Sequence, residues 1–126
     1  MKLENKNYKQ LKATLDKVFS EYIRARDGRC FTCGSTENLQ CGHLFSRVSL
    51  VTRWFEKNAH AQCNGCNLRH EYDFAVYEDA FINCYGQEEY DRLKALHYKS
   101  IKLSRAELIE LIGIYQNKLE ELCRDS

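Results

Sequence analysis

The sequence predicts a mainly α-helical fold with one small β-hairpin: a zinc-stabilised ββα core flanked by N- and C-terminal helices. Three observations lead there. Two Cys-x-x-Cys pairs, Cys30/Cys33 and Cys63/Cys66, have the spacing of a closed four-thiolate zinc site. Apolar residues recur at helical spacing on both sides of that stretch. Proline is absent throughout the 126 residues, which suits a helical body.

Taken in order, residues 1–29 read as an N-terminal helix, 30–84 as the zinc-pinned core and 85–126 as C-terminal helices of one domain. Tyr8, Leu11, Leu15, Val18, Phe19, Tyr22 and Ile23 form an apolar stripe over Asn7–Asp27, and Gly28 stops it. The first cysteine knuckle follows at Cys30–Gly34. Leu39–Phe45 suits a strand, Ser46–Glu56 a loop or irregular arm, and Ala59–Cys63 the returning strand. Beyond Cys66 the pattern predicts one helix through about Cys84, with Leu68, Tyr72, Ala75, Val76 and Ala80 on its buried side. Gly86 breaks the chain, and Glu88–His97 reads as a short helix carrying Tyr90, Leu93 and Leu96. Ser104-Arg-Ala-Glu107 is a capping box opening a last helix, whose stripe is Leu108, Leu111, Ile112, Tyr115, Leu119 and Leu122. The aromatic residues of these stripes, Tyr8, Phe19, Tyr22 and Tyr115 among them, are expected in the core.

Composition excludes several classes. With 44% hydrophobic residues the chain is expected to fold, and it has no apolar run long enough for a membrane span. Seven cysteines could suggest a secreted disulfide scaffold. The odd count, the zinc-type spacing and the absence of an apolar export signal near Met1 favour a reducing cytoplasm instead. Cys41 reads as a small residue packed in a strand or a spare ligand near the knuckle, and Cys84 and Cys123 as core or incidental thiols. The net charge is +1, but it is unevenly placed. Residues 1–29 hold eight Lys/Arg against four acids, and 40–70 hold Arg47, Arg53, Lys57 and Arg69 against Glu56 alone. Those four cations are the candidates for gripping phosphates.

A closed zinc site leaves no coordination position for a reaction, so chemistry would fall to the polar residues between the cysteine pairs. A strand bearing His43, a second starting at Asn58 and a helix starting near Asn67 form a ββα unit. That arrangement resembles the HNH, or ββα-metal, nucleases. Three strings narrow the likeness: Cys30-Phe-Thr-Cys-Gly34, Gly42-His43, and Arg53-Trp-Phe-Glu-Lys-Asn58-Ala-His60-Ala-Gln-Cys63-Asn-Gly-Cys-Asn67. Together they resemble the C-terminal domain of the lambdoid phage NinG (Rap) recombination nucleases. The similarity extends to Tyr22-Ile-Arg-Ala-Arg-Asp27, Tyr85–Glu88 and Tyr115-Gln-Asn-Lys-Leu119, without that family's further N-terminal region.

The resemblance implies a structure-selective endonuclease acting on branched recombination intermediates, Holliday junctions and displacement loops, and leaving 5′-phosphate and 3′-hydroxyl ends. It implies His43 as general base, Asn58 as the residue bracing it and Asn67 as a ligand of a catalytic Mg²⁺ or Mn²⁺. Cys30, Cys33, Cys63 and Cys66 would hold the structural Zn²⁺. His60 stays open as an alternative base. Where many HNH proteins carry an acidic ligand this chain has Gly42, and where relatives carry an acid three residues before the histidine it has Gln40. His60, His70 or the Gln40 oxygen are left to complete the metal site. Symmetric cutting of a four-way junction implies a homodimer, formed through the stripe of a terminal helix, with phage recombination proteins as further partners. Two rival readings follow: a catalytically silent zinc-containing DNA-binding or adaptor module, and an HNH nuclease acting on plain duplex.

Overall fold

Asn7 and Gln10 open the first helix with a reciprocal pair of bonds. The Asn7 side chain accepts from the Gln10 amide at 2.8 Å, and the Gln10 side chain accepts from the Asn7 amide at 2.9 Å. In the computed structural model, which describes residues 1–125, α1 runs Tyr8–Asp27. Gly28 ends it at φ +68°, a left-handed conformation that favours glycine. The predicted capping box at the other end of the chain is present too. Glu107 accepts from the Ser104 amide at 3.0 Å, and Ser104 Oγ accepts from the Glu107 amide at 3.1 Å.

The expected apolar stripes meet. Leu11, Leu15, Phe19, Tyr22 and Ile23 of the first helix bury against Leu108, Ile112 and Tyr115 of the last. Phe19 and Tyr115 contact edge to face, with centroids 4.9 Å apart. The last helix's stripe, the face through which two copies were expected to pair, therefore packs on α1 within the chain.

The hairpin pairs β1 (Leu39–His43) antiparallel to β2 (Ala59–Cys63), in register from Leu39 opposite Cys63 to His43 opposite Ala59. The strand period of two sends Cys41 and Ala59 toward α1, and Gly42 and His60 to the other face. The outer edge of β2 is covered: the Phe31 amide donates to the Ala61 carbonyl, the Asp27 carboxylate accepts from the Ala61 amide, and Arg26 donates to the Ala59 carbonyl. The connection predicted as an irregular arm contains a one-turn helix, α2 (Leu50–Arg53), and a 3₁₀ turn at Glu56–Asn58.

One expectation is corrected. The helix predicted from Cys66 to Cys84 is two helices, α3 (Asn64–Arg69) and α4 (Phe74–Tyr85). Asp73, at φ −140° and ψ 77°, is not helical, and the break shifts the phase of the buried face. Leu68 and Tyr72 are 55% and 78% exposed, while Tyr77 and Phe81 enter the core in place of Ala75, Val76 and Ala80. Then come α5 (Gln87–His97) and α6 (Arg105–Asp125). Tyr90 and Leu93 of α5 join Leu44, Phe45, Tyr77 and Phe81 in a second core. The hairpin thus lies between the α1–α6 pair and the α4–α5 pair. Among the described residues no helix is long and apolar enough to cross a membrane.

Candidate functional site

The four cysteines of the two pairs converge. Their sulfurs all lie within 4.8 Å of one another, and Cys33 Sγ is 3.7 Å from Cys63 Sγ. A zinc–thiolate tetrahedron with bonds of about 2.3 Å has edges of about 3.8 Å, so the cluster could hold a zinc ion. The backbone prepares both knuckles. The Cys33 amide points at Cys30 Sγ (3.5 Å) and the Cys66 amide at Cys63 Sγ (3.4 Å), with Gly34 at φ +79° letting the first knuckle turn back. Burial works to raise the Cys30 thiol, but backbone hydrogen bonds from Cys33, Cys63 and Thr32 outweigh it and bring the group to about 7. Cys41, Cys84 and Cys123 do not belong to the four-cysteine cluster.

His43 closes β1. Its Nε2 lies 2.8 Å from the Arg53 carbonyl, which can only accept, so Nε2 carries the proton and Nδ1 the lone pair. Nδ1 takes no protein hydrogen bond among the described residues and is not sealed from solvent. Burial depresses the pKa below the usual 6.5, and Arg47 and Arg53 push the same way. The bond to the Arg53 carbonyl and the charge of Asp16 oppose them. The ring is therefore neutral near pH 7 with one nitrogen available.

Asn58, wholly buried, spans the base of the hairpin connection. Its Oδ1 accepts from the Phe45 amide at 2.9 Å, and its Nδ2 donates to the Phe45 and Thr52 carbonyls at 3.0 Å each. It ties the residues just after His43 to the segment that delivers the Arg53 carbonyl. Asn67 sits on the opposite face, over Gly42. Its Nδ2 donates to Gln40 Oε1 at 2.9 Å, and its Oδ1 accepts no protein hydrogen bond among the described residues.

Gly42 has a steric reason. A Cβ there would lie 2.6 Å from Gln62 Cγ and 2.9 Å from Asn67 Oδ1. That position, where an acidic ligand would stand, has no room for a side chain here. Gly42→Asp is expected to destabilise the protein by roughly 1–3 kcal/mol, as overpacking does, read as a lowered denaturation midpoint at unchanged slope.

His60 is 2% exposed with both ring nitrogens occupied. Tyr77 donates its hydroxyl proton to the Gly42 carbonyl at 2.8 Å, so its oxygen accepts from His60 Nδ1 at 2.9 Å. His60 Nε2 then accepts from the Tyr85 hydroxyl at 2.8 Å, and the ring stacks on Phe31 at 3.9 Å. This set of bonds is the one made by neutral imidazole. Burial, aided by Arg26, lowers its pKa to about 4. Because the folded value lies below the unfolded 6.5, stability is complete above pH 6.5 and falls as pH drops toward 4, by roughly 3 kcal/mol for this group. Urea titrations across that window should show the loss, and His60→Gln should flatten it.

His70 donates Nε2–H to the Leu44 carbonyl at 2.8 Å, and its Nδ1 is buried without a partner, so neither nitrogen faces a solvent-borne metal. The candidate cations divide. Arg47 (59% exposed) and Arg69 (53%) are accessible, the second beside Asp73 at 3.4 Å. Lys57 pairs with Glu89 at 3.0 Å and lies over the Tyr85 ring. Arg53, 16% exposed, is held by Asp16 through two bonds of 3.1 and 2.5 Å. Asp16, Trp54, Tyr77 and Tyr85 all support the site and were missed in the sequence, where nothing marks pairings across 17 to 38 positions.

The sequence comparisons agree on one relationship. The family model described as Bacteriophage Lambda NinG protein matches residues 1–125. "Protein ninG" of Escherichia phage 933W is 30% identical over 102 residues, and that of phage lambda 29% over 102 residues. Each match covers 79% of this chain and 50% of the relative, so the chain spans about half the length of the curated relatives it matches. No solved structure matches it. Over nearly its whole length, the chain belongs to the NinG family.

Proposed function

We propose that this chain is an HNH-type endonuclease domain that cuts branched DNA, Holliday junctions and displacement loops, during phage recombination in the bacterial cytoplasm. The observation that carries the reading is the state of His43. Its Nε2–H is locked on the Arg53 carbonyl, and its Nδ1 is left as a neutral, accessible base. Nδ1 takes a proton from water as it attacks phosphorus. Asn58 keeps the strand end and the arm in register through that step, and His60 holds the Gly42 carbonyl through Tyr77. A structural Zn²⁺ on Cys30, Cys33, Cys63 and Cys66 keeps the hairpin and α3 together. Of the four candidate cations, Arg47 and Arg69 are the most exposed to phosphates, each beside a carboxylate, with Lys57 next in accessibility and Arg53 committed to Asp16.

Among the candidate ligands, Asn67 Oδ1 is the oxygen left unbonded for a catalytic Mg²⁺ or Mn²⁺, on the hairpin face away from the His43 ring. Gln40 Oε1 is taken by Asn67, and His70 faces away. One neutral oxygen is a sparse donor set, and a hard cation held there would complete its shell with water and substrate phosphate. Such a cation would supply positive charge at the phosphorane and the leaving oxygen. Pairing of two copies on a junction would use surface other than the α6 stripe.

The test is cleavage of end-labelled four-way junction, displacement loop and matched linear duplex with Mg²⁺ or Mn²⁺. Metal-dependent cutting of the branched substrates is the expected result, and equal cutting of duplex would move the activity to unbranched DNA. A second reading, a catalytically silent zinc-containing DNA-binding module, is favoured by one observation: Gly42 has no room for an acidic ligand beside Asn67. It predicts junction binding indifferent to Mg²⁺ and no cleavage.

A further inference from the structure

We propose that Asp16, on α1, is a positioning residue that fixes the tautomer and orientation of His43 by clamping the Arg53–Trp54 peptide, and that it withholds Arg53 from DNA in doing so. The proposal rests on the reading of His43 as the base. The peptide group whose carbonyl meets His43 Nε2 is the one joining Arg53 to Trp54, and both flanking side chains end on the same carboxylate. Asp16 Oδ1 accepts from Arg53 Nε at 3.1 Å and from Trp54 Nε1 at 2.9 Å, while Oδ2 accepts from Arg53 Nη2 at 2.5 Å. A third cation, Arg47, stands 3.9 Å from Oδ2.

The clamp is needed because α2 cannot hold that peptide alone. It has four residues, Ser49 gives it no side-chain cap, and a single turn has little intrinsic stability. The Arg53 carbonyl is one of the orphan acceptors at its end. Besides Asp16, the turn is tied by Asn58 to the Thr52 carbonyl, by the Tyr115 hydroxyl to the Trp54 carbonyl at 2.6 Å, by Arg53 Nη1 to the Arg47 carbonyl at 3.5 Å, and by the burial of Trp54 in the α1–α6 core. The Asn58 and Tyr115 bonds hold the peptides on either side, and Asp16 adds the fastening of both side chains that flank the Arg53–Trp54 peptide. It does so from the middle of a 20-residue helix whose Phe19 packs 6.0 Å from the His43 ring. Burial opposes its charge, but the bonds to Arg53 and Trp54 keep its carboxyl below the usual range, so the clamp is ionised at neutral pH. The fork of Arg53, the side chain most suited to phosphate, is thereby spent inside the protein.

The test uses the zinc-loaded chain and Asp16→Asn, with two readouts. Nitrogen-15 spectra of the His43 ring should show Nε2–H in the wild type and a rising Nδ1–H population in the variant. Single-turnover cleavage of the junction should fall on the order of 10²-fold, as misplacement of a catalytic group by about an ångström does. Junction affinity measured without divalent metal should stay equal or tighten, because Arg53 is released. A folded variant with the wild-type ring spectrum and wild-type rate overturns the proposal, and so does weakened junction binding. If Asp16→Asn fails to fold, Arg53→Lys and Trp54→Phe each remove part of the clamp and must move the ring spectrum the same way. An unchanged ring in both overturns it. Should the wild type cut no DNA at all, the nuclease reading fails while the ring spectra still decide the clamp.

Discussion

Stripping zinc, or replacing Cys63 by Ser, is expected to lower the melting temperature by more than ~20 °C and to abolish near-ultraviolet circular dichroism around the hairpin. Cys63 is the residue to change because three structures meet in it. It is the last residue of β2, opposite Leu39, the cap of α3 through the Cys66 amide, and the sulfur 3.7 Å from Cys33 across the cluster. The segment between Gly28 and Leu39 has no helix or strand, and its buried anchor is Cys30 itself. Structural zinc sites contribute about 10–16 kcal/mol in small domains, against a total stability of about 5–15 kcal/mol. The α1–α6 pair has its own core, so part of the helical signal should survive. Cobalt substitution should give the absorption of a tetrahedral thiolate site, and Cys84→Ser, outside the cluster, should leave metal content unchanged. A chain purified without zinc whose melting ignores chelators would sink the structural-zinc assignment.

What the sequence made legible was what depends on near neighbours. The cysteine pairs act through four-residue loops, the stripes of α1 and α6 through the helical period, and the Ser104/Glu107 box through three positions. The strands were readable because Leu39–His43 and Ala59–Cys63 are bounded by the knuckle and the arm. The helix break at residues 70–73 was not, since no glycine or proline marks it. His70 instead spends its Nε2 on the Leu44 carbonyl, a contact 26 positions away. The one-turn α2 was equally hidden, because its stability is borrowed from Asp16, Asn58 and Tyr115.

The same logic separates the two histidines. From sequence, His43 was the expected base and His60, on the adjacent strand, its alternative. Tyr77 and Tyr85 consume both nitrogens of one, and the Arg53 carbonyl consumes a single nitrogen of the other. The four cations divide for a similar reason, with Asp16 removing Arg53 from the set while Arg47 and Arg69 stay exposed. Tertiary pairing decides these roles.

Replacing His43 by Ala is expected to lower the single-turnover rate on branched DNA by about 10²–10⁴-fold, the usual contribution of a positioned general base. Junction affinity should change little, because His43 carries no positive charge near pH 7. The wild-type rate should rise with pH and level off once Nδ1 is free. The sign follows from the mechanism: protonation of Nδ1 removes the lone pair that accepts the proton of water, so activity is lost as pH falls through the His43 pKa. Burial first, then Arg47 and Arg53, place that midpoint below 6.5, with the Arg53 carbonyl and Asp16 limiting the fall. The acid limb should therefore lie lower than for an exposed histidine and vanish from whatever activity His43→Ala retains. It must also be distinguished from acid unfolding driven by His60, so the variant and wild type are compared at pH values where urea titrations show both folded. His60→Gln supplies the converse, since it should move the stability profile and leave the midpoint of the rate profile in place. A His43→Ala protein that is folded, zinc-loaded and cuts junctions at the wild-type rate would remove His43 from the chemistry. His60 could not then replace it without breaking its Nε2 bond to Tyr85.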